Sequence, residues 1–261
     1  MTLILTEISK FGIAMAADSA ITEGTDIKRS LSGIQKLQPI PKINAGISCW
    51  GEAEIEEVYT DIWLDSFIRK KRREYGSIKE FAILLQNELR EHIDKIDPSK
   101  KEFMWGTIGF HLAGFDKYEG EYSPTCYHIH NGRSQMLEKR GGKIDPAIIN
   151  ANHDFSPNLV KKWLENGSIP VLRNGEIEIY ATIFDSLQTF FYELYKNTHI
   201  RIPYSYSLDD RSEWLKFQIE TIGGLYKLSN IGPSIGGEIS TLTISKDGVQ
   251  SFKCINPYFK N

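Results

Sequence analysis

Between Thr2 and Ile40, apolar runs of strand length follow one another with tight or polar connections and no room for a helix. Thr2 to Ile8 reads as a strand, Ser9-Lys10-Phe11-Gly12 as a tight turn, and Ile13 to Ala17 as a second strand ending in Asp18-Ser19. A polar loop through Thr22-Glu23-Gly24 follows, and a third strand opens on Lys36-Leu37. Three reactive groups thus stand at strand ends: a threonine that becomes the first residue if Met1 is removed, the Asp18 carboxylate and the Lys36 ammonium.

Removal of an initiator methionine requires a small second residue, and Thr2 qualifies. The exposed α-amine would titrate near pH ~8 and lie close enough to take the proton of its own hydroxyl, directly or through water. No histidine is then needed. A lysine near that hydroxyl lowers its pKa and favours the free amine by charge repulsion, while a carboxylate fixes the lysine and balances its charge. Lys36 and Asp18 are the candidates for these roles. Each residue alone has an ordinary explanation, since threonine is common at position two and Asp-Ser often ends a strand.

With 261 residues, 41% hydrophobic and 25% charged, the chain is expected to be one globular domain spanning residues 1–261, undivided by repeats or linkers. A formal net charge of -3 gives no bulk attraction to nucleic acid or membrane, so neither is expected as a partner. Cys49, Cys126 and Cys254 have no metal or redox spacing and fit free thiols in a reducing cytosol. With no signal-peptide pattern and no apolar run of ~18 residues, a cytoplasmic location is expected.

After a fourth strand, Ile43 to Trp50, the apolar spacing predicts helices over Glu52 to Lys71 and from the capping box Ser77-Ile-Lys-Glu80 to Asp97-Pro98. The Arg69-Lys70-Lys71-Arg72-Arg73 run is read as a solvated helix end rather than an anion site. Strands are expected at Met104 to Phe115, Thr125 to His130 and Gln135 to Lys139. Helices follow from Ser156-Pro157 to Asn166-Gly167, over Glu176 to Asn197, and over Asp210 to Leu228 with its start at Ser207. Two closing strands, Ile239 to Ser245 and Gln250 to Ile255, meet at the Lys246-Asp247-Gly248 turn.

Other chemistry finds less support. Gly232-Pro-Ser234-Ile-Gly236 matches the nucleophile elbow of α/β-hydrolases, but that elbow opens a helix and Glu238 onward alternates as a strand. The last histidine, His199, also precedes that serine, so the order serine, acid, histidine cannot be met. His128 and His130 face one way on a strand, with His111 or Asp116 able to approach from a neighbour. Without a third ligand of clear spacing they are read as surface histidines, and no metal is expected. No phosphate-cradling glycine motif is present, so no cofactor is expected.

Taken together, Thr2, the segment Gly12-Ile-Ala-Met-Ala-Ala-Asp18-Ser19, Thr22 and Lys36-Leu37 resemble the proteasome β-subunit family of threonine hydrolases, nearest its bacterial HslV and Anbu branches. Ile47-Ser-Cys-Trp50-Gly51, His111-Leu-Ala-Gly114-Phe115-Asp116 with Cys126-Tyr127, and Ile235-Gly236-Gly237 through Asp247-Gly248-Val249 are similar to three further family segments. Residues 141–207 match only in helical character. The resemblance implies an α+β fold, a four-layer αββα sandwich in which two sheets lie between two helical layers. It implies that the Gly51 amide steadies an oxyanion, and that backbone groups at Thr22 and Cys49 pair with an extended peptide or protein substrate. The family's supporting Asp-x-x-Ser-Gly-Gly motif is altered: Ile235 and Gly232 stand at its serine and aspartate positions, leaving Ser234 or Asn230 to substitute. The resemblance further implies a homo-oligomer, ring or helical, with an ATP-driven unfoldase as a possible partner. A catalytically inactive structural or assembly subunit is the alternative.

Overall fold

A computed structural model describes residues 2–22, 30–31, 33–95, 107–131, 149–175, 177–203, 205–230, 235–256 and 259. The expected opening hairpin is formed by β1 (Leu3–Ser9) and β2 (Gly12–Ala17), every residue of which is buried. Its turn closes when Ser9 Oγ donates to Gly12 O (3.2 Å) and accepts from Phe11 N–H (3.2 Å). Gly12 has φ +136°, and a Cβ there would stand 2.4 Å from Ile244 O, so only glycine fits.

Two five-stranded antiparallel sheets follow from the strand pairings. The first has the order β12-β1-β2-β13-β14, where β12 is Val171–Gly175, β13 Ser240–Ser245 and β14 Gly248–Lys253. The second has the order β11-β10-β9-β6-β5, with β5 Leu37–Ile40, β6 Ala45–Gly51, β9 Ile108–Tyr118, β10 Glu121–His130 and β11 Asn150–Phe155. The remaining strands are two-residue pieces: β3 (Ile21–Thr22) pairs with β4 (Ser30–Leu31), and β7 (Glu54–Ile55) with β8 (Val58–Tyr59). Among the described residues the α-helices are α1 (Thr60–Lys70), α2 (Ile78–Lys95), α3 (Pro157–Glu165), α4 (Ile177–Thr198) and α5 (Leu208–Leu228).

Alternation along the strands divides the core into three clusters. Ile4, Ile8, Ile13 and Met15 of the first sheet meet Leu37, Ala113 and Cys126 of the second. On its other face the second sheet packs Ile47, Phe110 and Ile129 against Leu64 and Phe67 of α1 and Phe81, Leu85 and Leu89 of α2. The first sheet packs Leu3, Leu5, Ala14 and Ala16 against Tyr180 and Phe184 of α4 and Leu215, Ile219 and Ile222 of α5. A buried ion pair from Arg211 to Glu7 adds a polar tie between α5 and β1. Burial pushes the Glu7 carboxyl up, against the pull of the Arg211 hydrogen bond and charge.

Several expectations are met closely, and others are corrected. The Ser207 cap forms a full capping box, with Ser207 Oγ accepting from Asp210 N–H (3.1 Å) and Asp210 Oδ2 accepting from Ser207 N–H (2.9 Å). The helix expected from Glu52 starts at Thr60 instead, because Glu56 and Glu57 take φ +52° and +61° in a two-residue turn between β7 and β8. Residues 141–207 hold strands as well as helices: β11 and β12 lie there as sheet edges. The strand expected at Gln135 to Lys139 lies outside the described residues. Among the described residues, no helix is long and apolar enough to cross a membrane.

Candidate active site

The hairpin register itself brings a carboxylate to the start of β1. Ile4 pairs with Ala17, so the next residue along, Asp18, falls beside Leu3. Leu3 N–H donates to Asp18 Oδ1 (3.0 Å) and Asp18 N–H donates to Leu3 O (3.3 Å). On the second carboxylate oxygen, Ala20 N–H (3.2 Å) and Gly236 N–H (3.4 Å) converge. Asp18 is fully buried yet well supplied with donors.

Lys36 arrives from the other sheet. It precedes β5, and its carbonyl accepts from Cys49 N–H (2.9 Å) on β6. Its side chain crosses to the first sheet, where Nζ donates to Thr2 Oγ1 (3.0 Å), to Asp18 Oδ1 (3.0 Å) and to Ala20 O. All three ammonium donors are used, and Thr2 and Lys36 are only 6% and 4% exposed. The three groups picked from the sequence therefore form one buried hydrogen-bonded triplet. The triplet holds the Thr2 hydroxyl against a cation whose charge is balanced on its far side.

Gly51 ends β6, is exposed, and has φ +93°. A Cβ at Gly51 would stand 1.8 Å from Thr107 O, so Gly51→Ala is expected to displace the end of β6 and lose about 1–3 kcal/mol in urea denaturation. Cys49 is buried on β6, and burial, followed by the negative charge of Asp61, pushes its thiol up to about 12. Its thiol is thus kept from acting as a nucleophile. Thr22 lies in β3; Ser234 lies outside the described residues.

The sequence reading missed the donors that converge on Asp18 from Ala20 and Gly236, and the residues anchoring Lys36. Gln35 N–H donates to Asp61 Oδ2 (2.9 Å) at the start of α1. The only sequence signal was a pair of polar residues beside apolar strand and helix positions.

The histidines expected at the surface are instead buried, because β9 and β10 are interior strands covered on both faces. His111 pairs with His128 in register, and the His128 and His130 rings stack at 3.9 Å. His111 bridges the two sheets through Thr6 Oγ1 (3.1 Å) and Asn174 Oδ1 (2.7 Å). Among the described residues no group of three or more His, Cys, Asp or Glu could hold a metal ion. Burial, then the charges of His128 and His130, hold His111 well below the usual histidine range. Its neutral form is bound by folding, so stability is fully present above pH ~6.5 and falls as pH drops below that value toward the folded-state pKa. Urea denaturation is expected to show a loss of up to about 1.4 kcal/mol per pH unit from this group, with a shallower slope in His111→Gln.

Two five-stranded sheets, with Thr2 just before the first strand and Lys36 reaching it from just before β5 in the second, make up a fold that solved structures share. Among solved structures the chain is similar to Anbu (ancestral beta-subunit) from Yersinia bercovieri, at 17% identity and TM-score 0.57 over 99% of this chain and 90% of that one. A Gly-1 mutant of Anbu from Hyphomicrobium sp. strain MC1 gives 15% identity and TM-score 0.56 over 100% of this chain and 91% of that one. The Anbu complex from Pseudomonas aeruginosa, a helical assembly, gives 15% and 0.55 over 98% and 83%. No family model matches the sequence, and no curated protein matches it. The likeness is one of fold: the chain has the proteasome-like fold of these Anbu structures.

Proposed function

We propose that this chain is a proteasome-like, threonine-type peptidase or amide hydrolase, a single domain of four layers working in a homo-oligomer. The observation that carries the reading is the position of Lys36 Nζ, 3.0 Å from both Thr2 Oγ1 and Asp18 Oδ1 in a buried site. Removal of Met1 would free the Thr2 α-amine. That amine takes the hydroxyl proton as Oγ1 attacks the substrate carbonyl, and the developing oxyanion is met by the Gly51 amide. Collapse expels the leaving amine, which receives the proton from the α-ammonium. An ester on Thr2 Oγ1 remains, and water activated by the same amine hydrolyses it. Lys36 tunes the nucleophile, Asp18 holds Lys36, and Ser234 supports the amine. Backbone groups at Thr22 and the Cys49 carbonyl pair with an extended peptide or protein substrate, the Cys49 N–H being taken by the Lys36 carbonyl.

Three apolar clusters, one between the sheets and one under each helical pair, support the four-layer αββα reading. Assembly is supported by the exposed Phe190, Tyr192, Ile200, Tyr206, Phe217 and Leu228 on α4, α5 and the segment joining them. Three free thiols fit the reducing cytosol in which we place the protein, and an ATP-driven unfoldase would deliver folded substrates.

The test is the intact mass of protein with no tag at its amino terminus, followed by screening of peptide substrates and light scattering. Loss of one methionine, turnover of a peptide and a mass above that of the monomer are expected. A processed protein that cleaves nothing would overturn the enzyme assignment. One observation favours a catalytically silent assembly subunit as the second reading: Ile235, at the family's supporting-serine position, is fully buried in the core under α5. Retention of Met1 would select that reading, because Thr2 would then have no free amine.

A further inference from the structure

The chain reaches Lys36 through a short segment, residues 33–36, that belongs to no helix or strand. A lysine serving as a fixed charge beside a nucleophile needs its backbone held from both sides. Downstream the hold is the Cys49 N–H on the Lys36 carbonyl (2.9 Å). Upstream it is Gln35, which is fully buried and tied at every polar atom of its side chain.

Gln35 N–H donates to Asp61 Oδ2 (2.9 Å), and the other Asp61 oxygen accepts from Ile62 N–H (2.8 Å) in the first turn of α1. Gln35 Nε2 donates to Leu37 O (2.6 Å), bracketing Lys36 from both neighbours. Gln35 Oε1 accepts from Ile255 N–H (2.9 Å) and Asn256 N–H (3.3 Å), just beyond the end of β14. Asp61 O in turn accepts from Gln38 Nε2 (2.7 Å) in β5, so the same residue grips the chain on both sides of Lys36. Asp61 is 1% exposed, an arrangement that costs desolvation and raises its carboxyl pKa. A buried carboxylate kept for its hydrogen bonds to one short segment indicates a positioning device.

We propose that Gln35 and Asp61 are positioning residues for Lys36: they lock the segment before β5 to α1 and to the chain after β14, and so set the contact between Lys36 and Thr2. This rests on the hydrolase reading above. The consequence is that the chain segment at Ile255-Asn256, remote in sequence from the nucleophile, is mechanically part of its site. Displacing it would loosen Lys36 while leaving Thr2 in place.

The experiment compares wild type, Gln35→Ala and Gln35→Met as processed, assembled protein, using peptide turnover and the pH dependence of acylation by a threonine-directed β-lactone. Gln35→Met keeps the side-chain volume without its hydrogen bonds and guards against a variant that fails to fold. Both substitutions are neutral, so any change in the pH profile reports where Lys36 sits. A fall in kcat of about 10-fold with KM within about twofold is expected, together with a shift of the acid limb toward the free α-amine value of ~8. Asp61→Asn, which retains an acceptor for Gln35 N–H, is expected to keep most of the activity that Asp61→Ala loses. Gln35 variants with a wild-type kcat and acid limb would overturn the positioning role, even if their thermal stability fell. A wild type that the lactone does not acylate would instead overturn the hydrolase reading on which it rests.

Discussion

Thr2→Ala, prepared without Met1, abolishes peptide turnover while the protein remains folded and assembled. The substitution removes one hydroxyl and leaves the backbone of β1 in place, paired to β2 and β12. Lys36 loses one of three acceptors but keeps Asp18 Oδ1 and Ala20 O. Because the hydroxyl is the group that becomes covalently attached to substrate, its loss is expected to lower kcat by ~10³-fold or more. Stability should change by about 1 kcal/mol, the net worth of one hydrogen bond. Steady-state kinetics with circular dichroism and light scattering check both halves. Turnover retained within about tenfold would remove Thr2 from the mechanism.

Asp18→Ala is expected to be the most destabilising single change at the site. The carboxylate accepts from three backbone N–H groups, those of Leu3, Ala20 and Gly236, and pairs with Lys36. Its removal takes the counter-charge from the ammonium and the acceptor from the Leu3 and Gly236 amides, while Ala20 N–H keeps Gly236 O (3.1 Å). Breaking a buried pair by deleting one partner costs about 3–5 kcal/mol, and orphaned donors add to that. Urea denaturation should therefore show a loss of that size, with hydrolysis abolished, because Lys36 is no longer held. Asp18→Asn keeps one acceptor oxygen in place of two and should lose less stability than Asp18→Ala. A loss below about 1 kcal/mol in Asp18→Ala would show that the pair is not the anchor of the site.

Much of this site was legible before any coordinates because strand registry is a local property. Once the Ser9–Gly12 turn fixes the β1–β2 pairing, Asp18 must fall beside Leu3, the residue after Thr2, and a hairpin signal of this kind survives in sequence. Lys36 was readable only as a lysine at a strand start; that its side chain would cross between sheets depends on packing. The Gln35–Asp61 tie was invisible, since it joins residues 26 apart through a backbone amide. The late start of α1 was hidden for a different reason. Glutamates at positive φ carry none of the Asn-Gly signal that marks such turns. The edge strands β11 and β12 were missed because Asn150–Phe155 and Val171–Gly175 show little apolar alternation, with β12 ending in a glycine. The buried histidines show the limit of reading a strand in isolation, because burial of both faces is decided by what packs against the sheet.

Acylation by a threonine-directed β-lactone, mapped by peptide mass spectrometry, reports whether Thr2 is the nucleophile. The lactone carbonyl is opened by the nucleophile and leaves an ester whose position in the chain can be read. One adduct per processed chain is expected, on Thr2, absent from Thr2→Ala and slowed in Lys36→Met. A processed, folded protein that stays unmodified, or one modified at Cys254 or another side chain with Thr2 untouched, would contradict it.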